Sequence, residues 1–149
     1  MELQLIELHP RLMIRGHTRG VFPSTWLRLF QERGIQYVFN VALIPDEQLH
    51  RACQANQIGY EHVPLHDSQR QPIPPGVTDL ARRVAQYLDT AVVLIHCDSG
   101  YNRSGLVALL ALALYTGRPT AELVAKARVL RPKILKNPRF AQFVLEYQQ

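Results

Sequence analysis

Cysteine is scarce in this sequence, and so are apolar stretches long enough to cross a membrane. Two cysteines in 149 residues are too few for the disulfide framework of a small secreted domain. The longest uncharged apolar run, residues 106–115, is far shorter than the roughly 20 residues that a membrane-spanning helix needs. The first residues also lack the basic and apolar regions of a secretory signal. We therefore expect a cytoplasmic protein without a membrane segment.

Negative charge is scarce in the last third of the chain. After Asp98 there are eight lysines and arginines but only two acids, Glu122 and Glu146, and the whole sequence has a formal net charge of +5. Such a surface attracts anionic substrates, nucleic acid among them. Because no aromatic residue lies among the basic residues between positions 126 and 139, we interpret them as a solvated helix surface.

Apolar runs of strand type alternate with helical patterns along the chain. Gly34 marks the end of one helix, and three prolines in residues 66–76 exclude regular structure there. We therefore predict a three-layer α/β fold, with one domain over residues 1–149 and a mainly parallel central sheet of about 4–5 strands flanked by helices. The predicted strands cover residues 35–43, 58–65 and 91–95, with a hairpin within 1–21, and the predicted helices cover 23–33, 45–56, 77–88, 104–116, 120–130 and 138–147.

The most informative segment is residues 96–105, His-Cys-Asp-Ser-Gly-Tyr-Asn-Arg-Ser-Gly, which joins a predicted strand to a predicted helix. In such a loop the backbone N–H groups of residues 98–103 converge on one point, which also faces the positive end of the helix dipole. A phosphate or a thiolate at that point would be stabilised. Arg103 adds a planar guanidinium that can hold two phosphate oxygens. The segment therefore predicts a phosphate-binding loop with Cys97 as its nucleophile.

The pattern Cys97-x5-Arg103, preceded by His96 and followed by Ser104 and Gly105, resembles the signature of cysteine-dependent protein tyrosine phosphatases. The short chain resembles the dual-specificity branch of that superfamily. The resemblance implies a cysteinyl-phosphate intermediate formed without a metal or another cofactor. It also implies that Ser104 assists departure of the thiolate, and that His96 supports the loop from behind. Gly105 is expected to support the loop as well, because glycine permits the close approach that such a turn demands.

The remaining loop positions are expected to surround the phosphate. The Asp98 carboxylate should point away from bound phosphate, because the backbone supplies the N–H groups. Tyr101 should form the pocket wall with Asn102 and stack on an aryl group of the substrate. The predicted phosphate-binding residues are Asp98, Ser99, Gly100, Tyr101, Asn102 and Arg103.

A phenolate leaving group needs a general acid, which contributes roughly 10²- to 10⁴-fold in rate. Asp67 stands thirty residues before Cys97 on the proline-rich loop, which is where the family has its acid. We predict that Asp67 protonates the leaving oxygen and then activates water. Asp79 is the alternative acid, and His66 is a second titratable group on the loop. Cys53 is interpreted as a buried small residue, since a disulfide with Cys97 would need Cα atoms within roughly 7 Å.

These residues together predict a monomeric phosphatase that hydrolyses phosphotyrosine, and also phosphoserine and phosphothreonine, in phosphorylated proteins. The alternative is an RNA 5′-triphosphatase or diphosphatase, because Gly-x-Asn-Arg-Ser-Gly resembles that branch as well, although Asp67 argues against it. A phosphate-binding module without turnover is a further interpretation. A rhodanese-like sulfurtransferase fits the Arg-Ser-Gly ending poorly.

Overall fold

The computed structural model describes residues 5–15, 22–98 and 101–147, which form one five-stranded sheet with helices on both faces. The strands are β1 Ile6–His9, β2 Leu12–Arg15, β3 Ile35–Asn40, β4 Gly59–His62 and β5 Val92–His96. Their order across the sheet is β1-β2-β5-β3-β4, and among these described strands only β1 runs antiparallel to its neighbour. This confirms the predicted three-layer α/β fold and its opening hairpin.

The six helices of the described residues divide into two layers. The first two lie on one face of the sheet, where Trp26 and Phe30 pack against Val38 and Leu94. The other four lie on the opposite face around the larger core cluster. The helices are α1 Pro23–Arg33, α2 Glu47–Ala55, α3 Val77–Tyr87, α4 Arg103–Thr116, α5 Thr120–Leu130 and α6 Pro138–Glu146. Across the described residues, no helix is both long and apolar enough to cross a membrane.

The helix ends follow from local chemistry in the sequence. Helix α1 ends at Gly34, whose φ of 69° is the left-handed conformation that glycine adopts without a steric cost. Helix α2 begins after Asp46, whose side chain accepts a hydrogen bond from the backbone N–H of Leu49. Asn137 caps α6 in the same way, by accepting from the N–H groups of Arg139 and Phe140.

Helix α4 is the central helix of the fold. Every residue from Arg103 to Ala113 is buried, because α4 is surrounded by the sheet, by α3 and by the pair α5 and α6. Its near-continuous apolar sequence is what such a position requires. The buried helix fixes its own N-terminus against the end of β5, and residues 97–102 connect the two.

Two predicted strands are shorter than expected. β3 ends at Asn40 because the Asn40 side chain accepts a hydrogen bond from the N–H of Ala42 and turns the chain. β4 ends at His62 rather than near residue 65. The strand register places Arg15, His96 and Asn40 at paired positions on β2, β5 and β3, at the carboxyl edge of the sheet. The parts of the predicted hairpin at residues 1–4 and 16–21 lie outside the described residues.

Candidate active site

Cys97 directly follows β5 and lies against the first turn of α4. It is only 1% exposed, and its Sγ is 3.3 Å from the Oγ of the fully buried Ser104. At this distance the hydroxyl can accept from a thiol or donate to a thiolate. The predicted nucleophile and its predicted assistant are therefore in contact. Ser99 and Gly100, which were predicted to bind phosphate, lie outside the described residues.

Arg103 is the first residue of α4, and its guanidinium is held by two hydrogen bonds. Nη1 donates to the carbonyl oxygen of Leu65 at 3.2 Å, and Nη2 donates to Oδ2 of Asp98 at 2.9 Å. The side chain is only 9% exposed. Its Nε is buried and has no hydrogen-bond partner among the described residues. One donor of this fixed, positively charged group is therefore not used by the described residues.

Asp98 forms an ion pair with Arg103, a contact that the sequence did not predict. The physical reason is the burial of Arg103, because a buried charge is costly without a nearby opposite charge. The Asp98 side chain itself remains 43% exposed. That the carboxylate points away from bound phosphate stays a prediction.

Asp67 lies in the segment between β4 and α3 and is held by two asparagines. Its Oδ2 accepts from Nδ2 of Asn102 at 2.8 Å, and its Oδ1 accepts from Nδ2 of Asn137 at 2.8 Å. Asn102 immediately precedes Arg103, so this contact joins the proline-rich segment to the loop that carries Cys97. The structure thus brings the predicted acid to the predicted phosphate-binding loop.

The two asparagines also contact each other. Oδ1 of Asn102 accepts from the backbone N–H of Asn137 at 2.8 Å, which closes a triangle of hydrogen bonds with Asp67. Asn137 uses its own Oδ1 to cap α6, so its amide nitrogen is free to donate to Asp67. The sequence indicates Asn137 only as the start of a helix. Its contact with Asp67, seventy positions away, has no local sequence signal.

His96 ends β5 and is 3% exposed. Both ring nitrogens are buried without a hydrogen-bond partner among the described residues. Burial lowers the pKa of His96 to about 4, and the positive charge of Arg15 acts in the same direction, while Asp46 and Asp98 oppose it. The imidazole is therefore neutral at physiological pH. Its role as a support for the loop stays a prediction.

Tyr101 and Gly105 pack against the segment between α5 and α6. The Tyr101 carbonyl accepts from the N–H of Leu135 at 2.9 Å, and its ring lies 4.3 Å from the guanidinium carbon of Arg131. A Cβ on Gly105 would lie 2.8 Å from Cγ1 of Ile134, so only glycine fits there without a shift. The partner of the Tyr101 ring in this structure is an arginine, and stacking on a substrate stays a prediction.

Three other residues singled out in the sequence are Cys53, Asp79 and His66, and each lies in a different environment. Cys53 is fully buried in α2, and burial raises its thiol pKa to about 12. Asp79 lies in the first turn of α3, where its exposed carboxylate pairs with Arg82 at 2.8 Å. His66 is half-buried beside Asp67, and its Nδ1 has no hydrogen-bond partner among the described residues. Of the two candidate acids, Asp67 is the one in contact with the phosphate-binding loop.

Comparisons with known proteins agree with this geometry. Residues 20–149 match the family described as dual specificity phosphatase, catalytic domain. The chain is 26% identical over 144 residues to the dual specificity protein phosphatase Mpk3 of Drosophila melanogaster; the match covers 96% of the chain but 34% of that protein, so the chain spans about a third of its length.

Solved structures with a similar fold include human DUSP28 and the PTP-2 phosphatase of Cydia pomonella. The first has a TM-score of 0.78 at 18% identity, with 99% of this chain and 94% of that chain covered. The second has a TM-score of 0.77 at 15% identity, with 95% and 88% covered. At these identities the likeness concerns the fold.

Proposed function

Since this chain belongs to the dual specificity phosphatase catalytic-domain family, we propose that it hydrolyses phosphotyrosine, and also phosphoserine and phosphothreonine, in proteins. The observation that carries the proposal is the hydrogen bond that Asn102 donates to Asp67. Asn102 lies one residue before Arg103 in the phosphate-binding loop. The hydrogen bond joins a candidate proton donor to the loop that contains the candidate nucleophile, Cys97. Hydrolysis of a phenolic or alcoholic phosphate ester needs both.

In the first step the Cys97 thiolate attacks phosphorus, and the bond between phosphorus and the ester oxygen breaks. Arg103 stabilises the charge on the phosphoryl oxygens, for which its Nε still has a donor to offer. Asp67 gives its proton to the departing oxygen. Each carboxyl oxygen has two lone pairs, so Asp67 can carry this proton while it accepts from both asparagines. The products are the dephosphorylated side chain and a cysteinyl-phosphate.

In the second step a water oxygen attacks phosphorus, and the phosphorus–sulfur bond breaks. The Asp67 carboxylate takes a proton from the water, which returns the acid to its starting form. The Ser104 hydroxyl, 3.3 Å from Sγ, donates a hydrogen bond to the departing thiolate of Cys97. Inorganic phosphate then leaves. Both steps use charges and hydrogen bonds supplied by the chain itself.

The test is the pH dependence of aryl phosphate hydrolysis, measured with a chelator present, for wild type, Cys97→Ser and Asp67→Asn. We expect Cys97→Ser to abolish turnover. We expect Asp67→Asn to lower kcat by roughly 10²- to 10⁴-fold for a phenyl ester, and by much less for an ester with an acidic leaving group. Asp79→Asn is the matched control, because it removes an exposed carboxylate that pairs with Arg82.

The same variants should also be tested on an RNA oligonucleotide with a 5′-triphosphate. An RNA phosphatase would hydrolyse this substrate equally well with and without the Asp67 carboxylate, since a diphosphate leaving group needs no acid. That result, with no hydrolysis of aryl phosphates, would replace our proposal by the RNA alternative. A wild-type protein inactive on both substrates would leave a phosphate-binding module without turnover.

A further inference from the structure

Exposed apolar side chains are concentrated at one edge of the sheet. Among the described residues, the large apolar side chains that are exposed are those of Phe22, Leu43, Ile44, Val129, Leu130 and Leu145. All of them except Leu145 lie at the carboxyl edge, where Cys97 follows β5. Large apolar side chains that are exposed together, rather than singly, indicate an interaction surface.

The order of the elements explains this distribution. Residues 43–44 directly follow β3, and Phe22 directly precedes α1, which runs back along the sheet to the start of β3. Helix α4 leaves the carboxyl edge and α5 returns to it, so Leu130 at the end of α5 lies there as well. Leu145 lies at the opposite edge, because its carbonyl oxygen accepts a hydrogen bond from Oγ1 of Thr120 at the start of α5.

One of these exposed side chains lines a cleft of about 280 Å³ next to the candidate nucleophile. Ile44 is 65% exposed and lines the cleft together with Ala42, Pro45 and Cys97. Fully buried Asn40 fixes this segment, because its Oδ1 accepts from the N–H of Ala42 at 2.9 Å and its Nδ2 donates to the carbonyl oxygen of Ile44 at 3.3 Å. The backbone that carries the exposed isoleucine is therefore held in place.

A second cleft, of about 300 Å³, opens on the other side of the phosphate-binding loop, towards β1 and the end of α5. Leu130 is 54% exposed and lines it together with Ile6, Pro132 and the loop residue Tyr101. The Tyr101 carbonyl oxygen accepts from the N–H of Leu135 at 2.9 Å, which fixes this part of the loop. Each cleft thus combines one residue of the loop with one exposed apolar side chain.

The charges around the two clefts differ in sign. The first is lined by acids, of which Glu47 is 77% exposed, whereas Arg131 and Lys133 line the second. A negatively charged lipid surface would be attracted by the second cleft and repelled by the first. A protein segment can place a different side chain in each cleft, so it is the partner that this edge fits.

We propose that a phosphorylated segment of a substrate protein lies across the phosphate-binding loop and places one large apolar side chain in each cleft. One packs against Ile44 and the other against Leu130, with the phosphorylated residue between them at Cys97. These contacts remove apolar surface of both proteins from water, which favours binding. The preferred substrates are therefore segments with a leucine-like residue on both sides of the phosphorylated residue. The inference rests on the proposed phosphatase activity.

The experiment compares pairs of phosphotyrosyl peptides that carry leucine or serine at one position, scanned over the three residues on either side of phosphotyrosine. We expect kcat/KM to favour leucine by about fivefold at one position on each side, since burial of about half of a leucine side chain is worth roughly that factor. Ile44→Ser should bring this ratio near one on one side only, and Leu130→Ser on the other side only. Because each ratio compares two peptides on the same variant, a general loss of activity cancels.

The matched control is Leu145→Ser, which removes an exposed leucine from the opposite edge of the sheet and should keep both ratios. The proposal is overturned if leucine is not favoured on both sides, or if both ratios survive in the Ile44→Ser, Leu130→Ser double variant. A third set of peptides carries glutamate at the same positions. A preference for glutamate over leucine would assign the clefts to charge recognition and contradict the proposal.

Sedimentation with vesicles of phosphatidylcholine and phosphatidylserine tests a lipid surface as the partner instead. We expect wild type and the Ile44→Ser, Leu130→Ser double variant to behave alike. Vesicle binding that is lost in the double variant would assign the apolar residues to a membrane and overturn the proposal. Turnover of a small aryl phosphate separates the two levels, because its absence contradicts the proposed activity, whereas turnover without a leucine preference contradicts the inference about the clefts.

Discussion

The burial of His96 makes the stability of this protein depend on pH. Burial lowers its pKa from 6.5 to about 4, Arg15 adds to the effect, and Asp46 and Asp98 only partly oppose it. In the unfolded chain the same imidazole titrates near 6.5. Between these two values the unfolded chain binds a proton that the folded chain does not. Stability must therefore fall as the pH decreases through this range.

The size of the effect follows from the two pKa values. Well above pH 6.5 the imidazole is neutral in both states and has no influence on the unfolding free energy. By about pH 4 the free energy of unfolding has fallen by about 3 kcal/mol from its value at neutral pH, because each tenfold change in proton affinity is worth about 1.4 kcal/mol. The total free energy of unfolding of a small domain is only about 5–15 kcal/mol. One buried histidine therefore accounts for a large part of the expected acid sensitivity.

The assay is urea unfolding at a series of pH values from about 7.5 to about 4.5, for wild type and His96→Gln. Glutamine stays neutral throughout, so the variant should lose less stability than wild type on acidification, whatever its stability at neutral pH. His50→Gln, at an exposed position on α2, is the control and should follow wild type. Parallel curves for wild type and His96→Gln would refute the reasoning. An NMR titration of wild type gives the same answer, since the His96 ring should not titrate above about pH 5.

Three further predictions concern single positions. Asn137→Ser keeps an oxygen to cap α6 but loses the amide that holds Asp67, so kcat on aryl phosphates should fall about fivefold with little change in Tm, whereas Asn137→Ala should also lose about 1 kcal/mol of stability. Unchanged kcat in the serine variant would contradict this. Gly105→Ala places a methyl group 2.8 Å from Ile134 and should lower the free energy of unfolding, measured in urea, by about 1–3 kcal/mol. Adding Ile134→Ala should restore part of this loss, and a Gly105→Ala variant as stable as wild type would contradict the close contact. Cys53 has a thiol pKa of about 12, so it should resist iodoacetamide in the folded protein at neutral pH and react once urea unfolds the chain. Mass spectrometry of the Cys53 peptide measures the labelling, and alkylation in the absence of urea would contradict this prediction.

The fold could be predicted from the sequence because its signals are local. The apolar periods, the glycine after α1 and the capping residues of α2 and α6 each depend on a few neighbouring residues. The overlong prediction for β3 shows where such signals fail. Residues 41–43 are as apolar as the strand, and the chain turns there because the backbone N–H of Ala42 donates a hydrogen bond to the side-chain oxygen of Asn40.

Some contacts of the candidate site could likewise be predicted from local sequence, and others could not. Cys97, Arg103 and Ser104 lie within one continuous segment, so their proximity follows from a strand, a loop and a helix in succession. The contacts of Asp67 are different, because they join it to residues 35 and 70 positions away. Nothing near Asn137 in the sequence indicates that its amide meets a carboxylate, since that depends on how α6 packs beside the start of α4.

Asp98 shows why residue type alone did not predict the electrostatics of the site. An acid beside a nucleophile is unfavourable for binding an anion, so pointing it away from the phosphate was the natural expectation. That reasoning considered the phosphate but not Arg103, which is buried in the structure. A buried guanidinium is costly without a nearby opposite charge. Asp98 supplies that charge through its 2.9 Å contact with Nη2, so the burial of Arg103 determines where the Asp98 carboxylate lies.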